Sequence, residues 1–156
     1  MKSPFKINLI YLQILVFAIS VTSCSQNSKD TKSWQTEFHQ KLPLLGHRNW
    51  VLVVDKAFPL QNAQGMTVIN TGEQLPVVLQ EVMSSISTST HVKPIVFTDL
   101  ELDYITEDLS PGVDSLKKNI HSSLKGYKIN TILHNEVFGR FDSISRLFNV
   151  IVLKTE

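Results

Sequence analysis

The chain has 156 residues, of which 42% are hydrophobic, with 15 basic, 14 acidic and a single cysteine. That length suits one domain, and the apolar content allows a sizeable core without disulfide staples. The formal charge is +1; without Lys2 and Lys6, which belong to a leader expected to be removed, 13 basic residues stand against 14 acidic ones, so bulk charge offers nothing to nucleic acid.

Residues 1–23 read as an export signal: a basic start at Lys2 and Lys6, an apolar stretch from Ile7 to Val21, then small residues. The apolar core, about fifteen residues long, is short against the roughly 20 a spanning helix requires. Val21-Thr22-Ser23-Cys24 resembles a bacterial lipobox, in which cleavage leaves an acylated cysteine as the first residue. An uncleaved anchor and a plain secretory signal are the alternatives. Cys24 has no second cysteine to pair with, which agrees with lipidation. The expected location is therefore the bacterial cell envelope, with an exported domain anchored to the membrane through the lipid on Cys24. Residues 24–33 are polar, lack large apolar side chains and read as a tether, so the folded domain is expected over residues 34–156.

Trp34, Phe38 and Leu42 recur at helical spacing, which predicts a short helix from Trp34 to about Lys41, stopped before Pro43. Trp50 to Val54 is a β-branched run and predicts a buried strand. Leu75, Val78, Leu79, Val82 and Ile86 mark a helix over 74–86, which the Ser-rich run SSISTST is expected to end. Pro94 to Phe97 predicts a second strand, and Val113, Leu116, Ile120 and Leu124 a second long helix after Pro111-Gly112. Lys128 to Leu133 reads as a third strand, Asn135 to Phe141 as a short helix, and Asn149 to Leu153 as the last strand. Strands alternating with helices imply an α/β fold of three layers, a mostly parallel sheet with helices on both faces.

Such sheets collect ligands beyond the carboxyl ends of their strands. Asp55 stands at such an end, after five apolar residues. It is either the cap of the turn that Pro59 implies or a ligand-binding group.

The stretch GHRNWVLVVDKAFP, residues 46–59, resembles the signature of the D-ribose pyranase and L-fucose mutarotase family: Gly-His, a strand, an Asp and a Phe-Pro exit. KINTILH resembles that family's strand followed by a substrate-binding histidine, here His134. Asn149 before the last apolar run corresponds to its sugar-binding Asn. Leu147 stands where the family has a tyrosine, Lys56 follows Asp55 where it has alanine, and the stretch between His134 and Asn149 is shortened.

The resemblance implies a monosaccharide such as ribose or fucose as ligand, no metal or organic cofactor, and a homo-oligomer. Opening a cyclic hemiacetal requires one group to take the anomeric proton and another to protonate the ring oxygen, work that a histidine can do near neutral pH. By the resemblance His47 is the acid/base residue, with Asp55, His134 and Asn149 binding the sugar. A non-catalytic sugar-binding or interaction lipoprotein that keeps the fold is the alternative. Trp50 and Asp55 are about 16 Å apart along an extended strand, so His47 and Asp55 meet only if the Gly46-His47 loop folds back or a neighbouring subunit completes the site.

The other polar residues read more plainly. His39, His91 and His121 are expected to be solvated. Asp99, Glu101 and Asp103 alternate at the end of the second strand and are expected to form a solvated edge, lacking the glycine of a calcium loop; Glu101 matches an acidic position of the family. Trp34 and Trp50 are expected in the core.

Overall fold

The computed structural model describes residues 33–156; the leader, Cys24 and the tether up to residue 32 lie outside the described residues. The elements are α1 (Trp34–Lys41), a 3-10 turn at Leu42–Leu44, β1 (Trp50–Val54), β2 (Met66–Asn70), α2 (Leu75–Thr88), β3 (Val96–Asp99), a second 3-10 turn at Leu100–Tyr104, α3 (Val113–Ser123), β4 (Ile129–Ile132), α4 (His134–Ile144) and β5 (Val150–Lys154).

The fold is mixed α/β, and every strand pairing in it is parallel. β5 lies between β1 and β2, with Val150 level with both Trp50 and Met66. Its alternation sends Ile151 and Leu153 to one face and Val150 and Val152 to the other. The first face packs on Trp34 and Phe38 of α1 and on Val78 and Val82 of α2; the second packs on Phe141 of α4. Helices thus cover both faces of this sheet, and all four of these β5 residues are at most 2% exposed. That explains why β5 is continuously apolar while the edge strand β2 is not.

A single sheet is not what forms. Among the described residues the ladders divide into the three-stranded sheet and a separate pair, β3 with β4. β1 meets β3 through side chains, Trp50 lying 5.4 Å from Phe97 between ring centroids. The helix α2 serves both halves: Val78, Val82 and Ile86 face the first core, whereas Leu75, Leu79 and Met83 face a third core with Val96, Ile120 and Leu124. These two stripes, each at i, i+4 spacing and offset by part of a turn, make α2 the shared wall of the molecule.

Local chemistry accounts for the element ends. Ser33 caps α1, its Oγ accepting the Thr36 N–H at 3.2 Å. Gly112 takes φ +94° ahead of α3, and the Glu107 carboxylate accepts the N–H groups of Gly112 at 2.5 Å and Asp114 at 3.1 Å. Those two amides hold the Glu107 carboxyl below its ordinary range. The serines do not end α2 where the composition predicts. The helix runs on to Thr88 because Ser87 and Thr88 turn their hydroxyls onto the Ser84 and Ser85 carbonyls, at 2.7 and 3.0 Å, and so satisfy them within the helix.

Candidate functional site at the carboxyl ends of the strands

Because the pairings are parallel, the residues that follow β1, end β3 and follow β4 emerge at strand carboxyl ends: Asp55, Asp99 and His134. Asp99 is gripped from two sides. Its Oδ1 accepts the Glu101 N–H at 2.9 Å, which starts the 3-10 turn, and its Oδ2 lies 2.6 Å from Nδ1 of His134. An ionised carboxylate only accepts, so Nδ1 carries the proton and Nε2 is the nitrogen turned away from the pair.

His134 is the first residue of α4, where the helix dipole disfavours a cation. The local carboxylates outweigh that. The hydrogen bond to Asp99 raises the His134 pKa above its ordinary value of about 6.5, burial opposes the shift, and the charges of Asp99, Glu101 and Asp55 add to it. The side chain remains 54% exposed, so this pair is accessible to a solute.

An aromatic surface adjoins it. Phe138, one turn along α4 from His134, meets the imidazole edge-on at a centroid distance of 5.4 Å, and Phe58 stacks on Phe138 at 5.5 Å with planes 18° apart. Both rings are half-buried. The arrangement offers apolar ring surface beside carboxylates and a histidine.

Of the two readings of Asp55, the geometry shows the turn cap. Oδ1 accepts the N–H groups of Ala57 and Phe58, each at 3.0 Å, so the residue does build the turn that leads to Pro59. Both bonds use Oδ1, and Oδ2 takes part in neither. Beyond the turn Lys56 pairs with Glu156 at 2.8 Å, and Lys154 donates to the Phe58 carbonyl at 2.7 Å.

His47 and Asn149 lie at the opposite, amino ends of β1 and β5. The Gly46-His47 loop does not fold back along the sheet. Asn49 holds it in place: its Oδ1 accepts the Gly46 N–H at 2.7 Å, and its Nδ2 donates to the Asn149 carbonyl at 3.1 Å. Arg48 lies over the Phe148 ring at 5.6 Å, and Leu147 is 79% exposed. Of the four residues singled out by the resemblance, Asp55 and His134 therefore lie at strand carboxyl ends, linked through Phe58 and Phe138, and His47 and Asn149 lie at strand amino ends.

Asp99, Glu101 and Asp103 do not alternate along a strand, because β3 ends at Asp99 and the other two sit in the 3-10 turn. His39 is not merely solvated: its Nε2 meets Glu81 Oε1 at 3.0 Å and Ser85 Oγ at 2.9 Å, joining α1 to α2. Both contacts fall on one ring nitrogen, whereas a proton relay from serine to carboxylate needs both. His91 and His121 are exposed. Trp34 is buried and Trp50 half-buried.

Sequence reasoning missed Asp99, Phe58 and Phe138 as site residues. The rule that singled out Asp55, an acid where a parallel strand ends, applies equally to Asp99, and Phe138 is at i+4 from His134 on the same helix.

Among the described residues no three histidines, cysteines or acids are placed to hold a metal ion, and no helix is long and apolar enough to cross a membrane. Comparison of the chain with known family profiles, curated proteins and solved structures gives no match.

Proposed function

We propose that this domain binds a monosaccharide at the carboxyl-end cluster and interconverts its cyclic forms by ring opening and closure. The observation that carries the reading is the link between the Asp55 turn and His134, both singled out by the family resemblance: Phe58, whose N–H the Asp55 carboxylate accepts, stacks on Phe138, which meets the His134 ring. Carboxylates and imidazole supply hydrogen-bond partners for hydroxyl groups, and an aromatic face accepts the polarised C–H face of a sugar ring. In this reading His47 and Asn149 of one copy complete the site of another, which requires a homo-oligomer. Neither a metal nor an organic cofactor enters the proposal.

The non-catalytic sugar-binding lipoprotein remains the second reading, favoured by the distance along β1 that separates His47 from Asp55 within a chain. Magnetisation transfer between the anomers of ribose, fucose and related sugars distinguishes the two. A catalyst raises exchange above the spontaneous rate, and His47→Ala lowers it; a binding protein perturbs the sugar signals without raising exchange. Replacing Phe138 by alanine should weaken sugar binding about tenfold, the loss expected for one aromatic contact of roughly 1–1.5 kcal/mol. Unchanged affinity in a folded Phe138→Ala protein places the sugar elsewhere.

The membrane attachment has its own test. Metabolic labelling with a fatty acid should mark the wild-type chain and not Cys24→Ala; a wild-type protein that takes up no label removes the lipid anchor from the proposal.

A further inference from the structure

We infer that His134, positioned by Asp99, is the acid that protonates the ring oxygen, so that each protomer carries a proton-transfer pair of its own: His134 as acid and Asp55 as base. The inference rests on the ring-opening reading and departs from the expectation that His134 only binds sugar and that His47 alone moves protons.

The geometry supplies the reasons. A general acid that acts on a bound sugar needs a proton on an outward atom, a fixed orientation and access to solvent. Asp99 provides the orientation, because its carboxylate is itself locked by the Glu101 amide and can take the imidazole at Nδ1 in one direction only. The opposite nitrogen, Nε2, is then the one the pair leaves open, on a side chain that is 54% exposed. Asp55 Oδ1 is committed to the Ala57 and Phe58 amides, which leaves Oδ2 as the acceptor for an incoming hydroxyl.

The step balances within this pair. His134 Nε2 gives its proton to the ring oxygen as the bond from that oxygen to the anomeric carbon breaks. Asp55 Oδ2 takes the proton of the anomeric hydroxyl as the carbonyl forms. Closure on the other face returns both protons, and no co-reactant is consumed. The imidazole is bonded to Asp99 at the end of β3, and the charges of Glu101 in the following turn and of Asp55 after β1 act on it; Glu136 lies in the first turn of its own helix. The three carboxylates off its helix all favour the protonated ring, which extends the acid form toward neutral pH.

The test is the pH profile of anomer exchange, with sugar binding measured separately by titration on the same proteins. Since the acid form of His134 is required, exchange by the wild-type domain should fall as pH rises through the raised His134 pKa. Asp99→Asn keeps an oxygen for the Glu101 amide and removes the charge. It should move that alkaline limb, and the His134 ring titration seen by NMR, about one unit toward acid. His134→Gln should lower exchange at least about 100-fold, or to the spontaneous rate, with the sugar at a saturating concentration and the fold intact, so that weaker binding alone cannot account for the loss.

A merely structural Asp99 would change the height of the profile and leave its limb in place, which overturns the inference, as does exchange retained in His134→Gln. Either result leaves the ring-opening reading standing. Sugar bound with no exchange by the wild-type domain overturns both the inference and catalysis. No sugar bound and no exchange removes the proposed function altogether.

Discussion

Truncating Phe38 to alanine should lower the unfolding free energy by about 3–5 kcal/mol, the range for deleting a buried aromatic ring. Phe38 is fully buried, on the face of α1 that meets Val78 and Val82 of α2 and Ile151 and Leu153 of β5. Its removal opens a cavity bounded by a helix on one side and by the central strand on the other, and neither can move inward without breaking its own ladder or its other packing face. Domains are stable by only about 5–15 kcal/mol in total, so a variant at the lower end would be partly unfolded at 25 °C. Phe38→Leu retains most of the volume and should cost about 1 kcal/mol. Urea unfolding of the three proteins checks the order. A cost below about 1.5 kcal/mol for the alanine variant would mean that the site collapses and that α1 is not fixed by this contact.

The second large effect is expected at Gly65, just before β2. A Cβ there would fall within contact distance of the Ser145 carbonyl oxygen and 2.6 Å from that of Phe148, and both are backbone atoms. The same peptide accepts the Val150 N–H at 2.9 Å, so the segment that ends α4 and the start of β5 press directly on it. Gly65→Ala must push β2 away from β5 or displace the 145–148 turn, at a cost of about 3 kcal/mol. Gly139 is the internal comparison. It lies inside α4 with nothing within 4 Å of an added Cβ, and Gly139→Ala should stabilise the protein by about 0.5–1 kcal/mol through helix propensity. Opposite signs from one chemical change, read as two melting shifts, check the packing at 65 and the openness at 139. Equal effects at the two sites would contradict both.

The elements easiest to read in the sequence are those whose apolar period is long or complete. Trp34-Phe38-Leu42, Val78-Val82-Ile86 and the run 150–153 each state their partner face, and each forms as expected. β2 went unread because an edge strand needs only one well-covered residue. Of Met66 to Asn70 only Ile69 is buried, and five residues with a polar Thr67 and Asn70 carry little alternation. The sequence pattern starts α4 one residue late and ends it three residues early, since no side chain caps it and its charged first turn resembles a loop. The division into two sheets is a matter of backbone proximity between β1 and β3, which no local pattern encodes.

For the site, single residues were legible and their grouping was not. Asp55 and His134 can be marked from flanking strands, and only the parallel pairing places them at the same kind of strand end. Asn49, which ties the His47 loop to the Asn149 carbonyl, has no sequence signature beyond its place before a strand.

The central place of β5 also governs the order in which this molecule can be assembled. Trp50 and Met66 share one partner, Val150, that lies about a hundred residues after the first and about eighty after the second, so neither ladder can close until the rest of the described chain is present. Such long loops make the closing step slow relative to the local helices. While residues 150–154 are still absent, β1 and β2 lack the strand that pairs them, and the stripes of α1 and α2 that share the first core lack the cover of Ile151 and Leu153. The nascent chain is thereby kept from completing its core early, and a fragment lacking the last strand would expose the surfaces that draw chaperones and proteases.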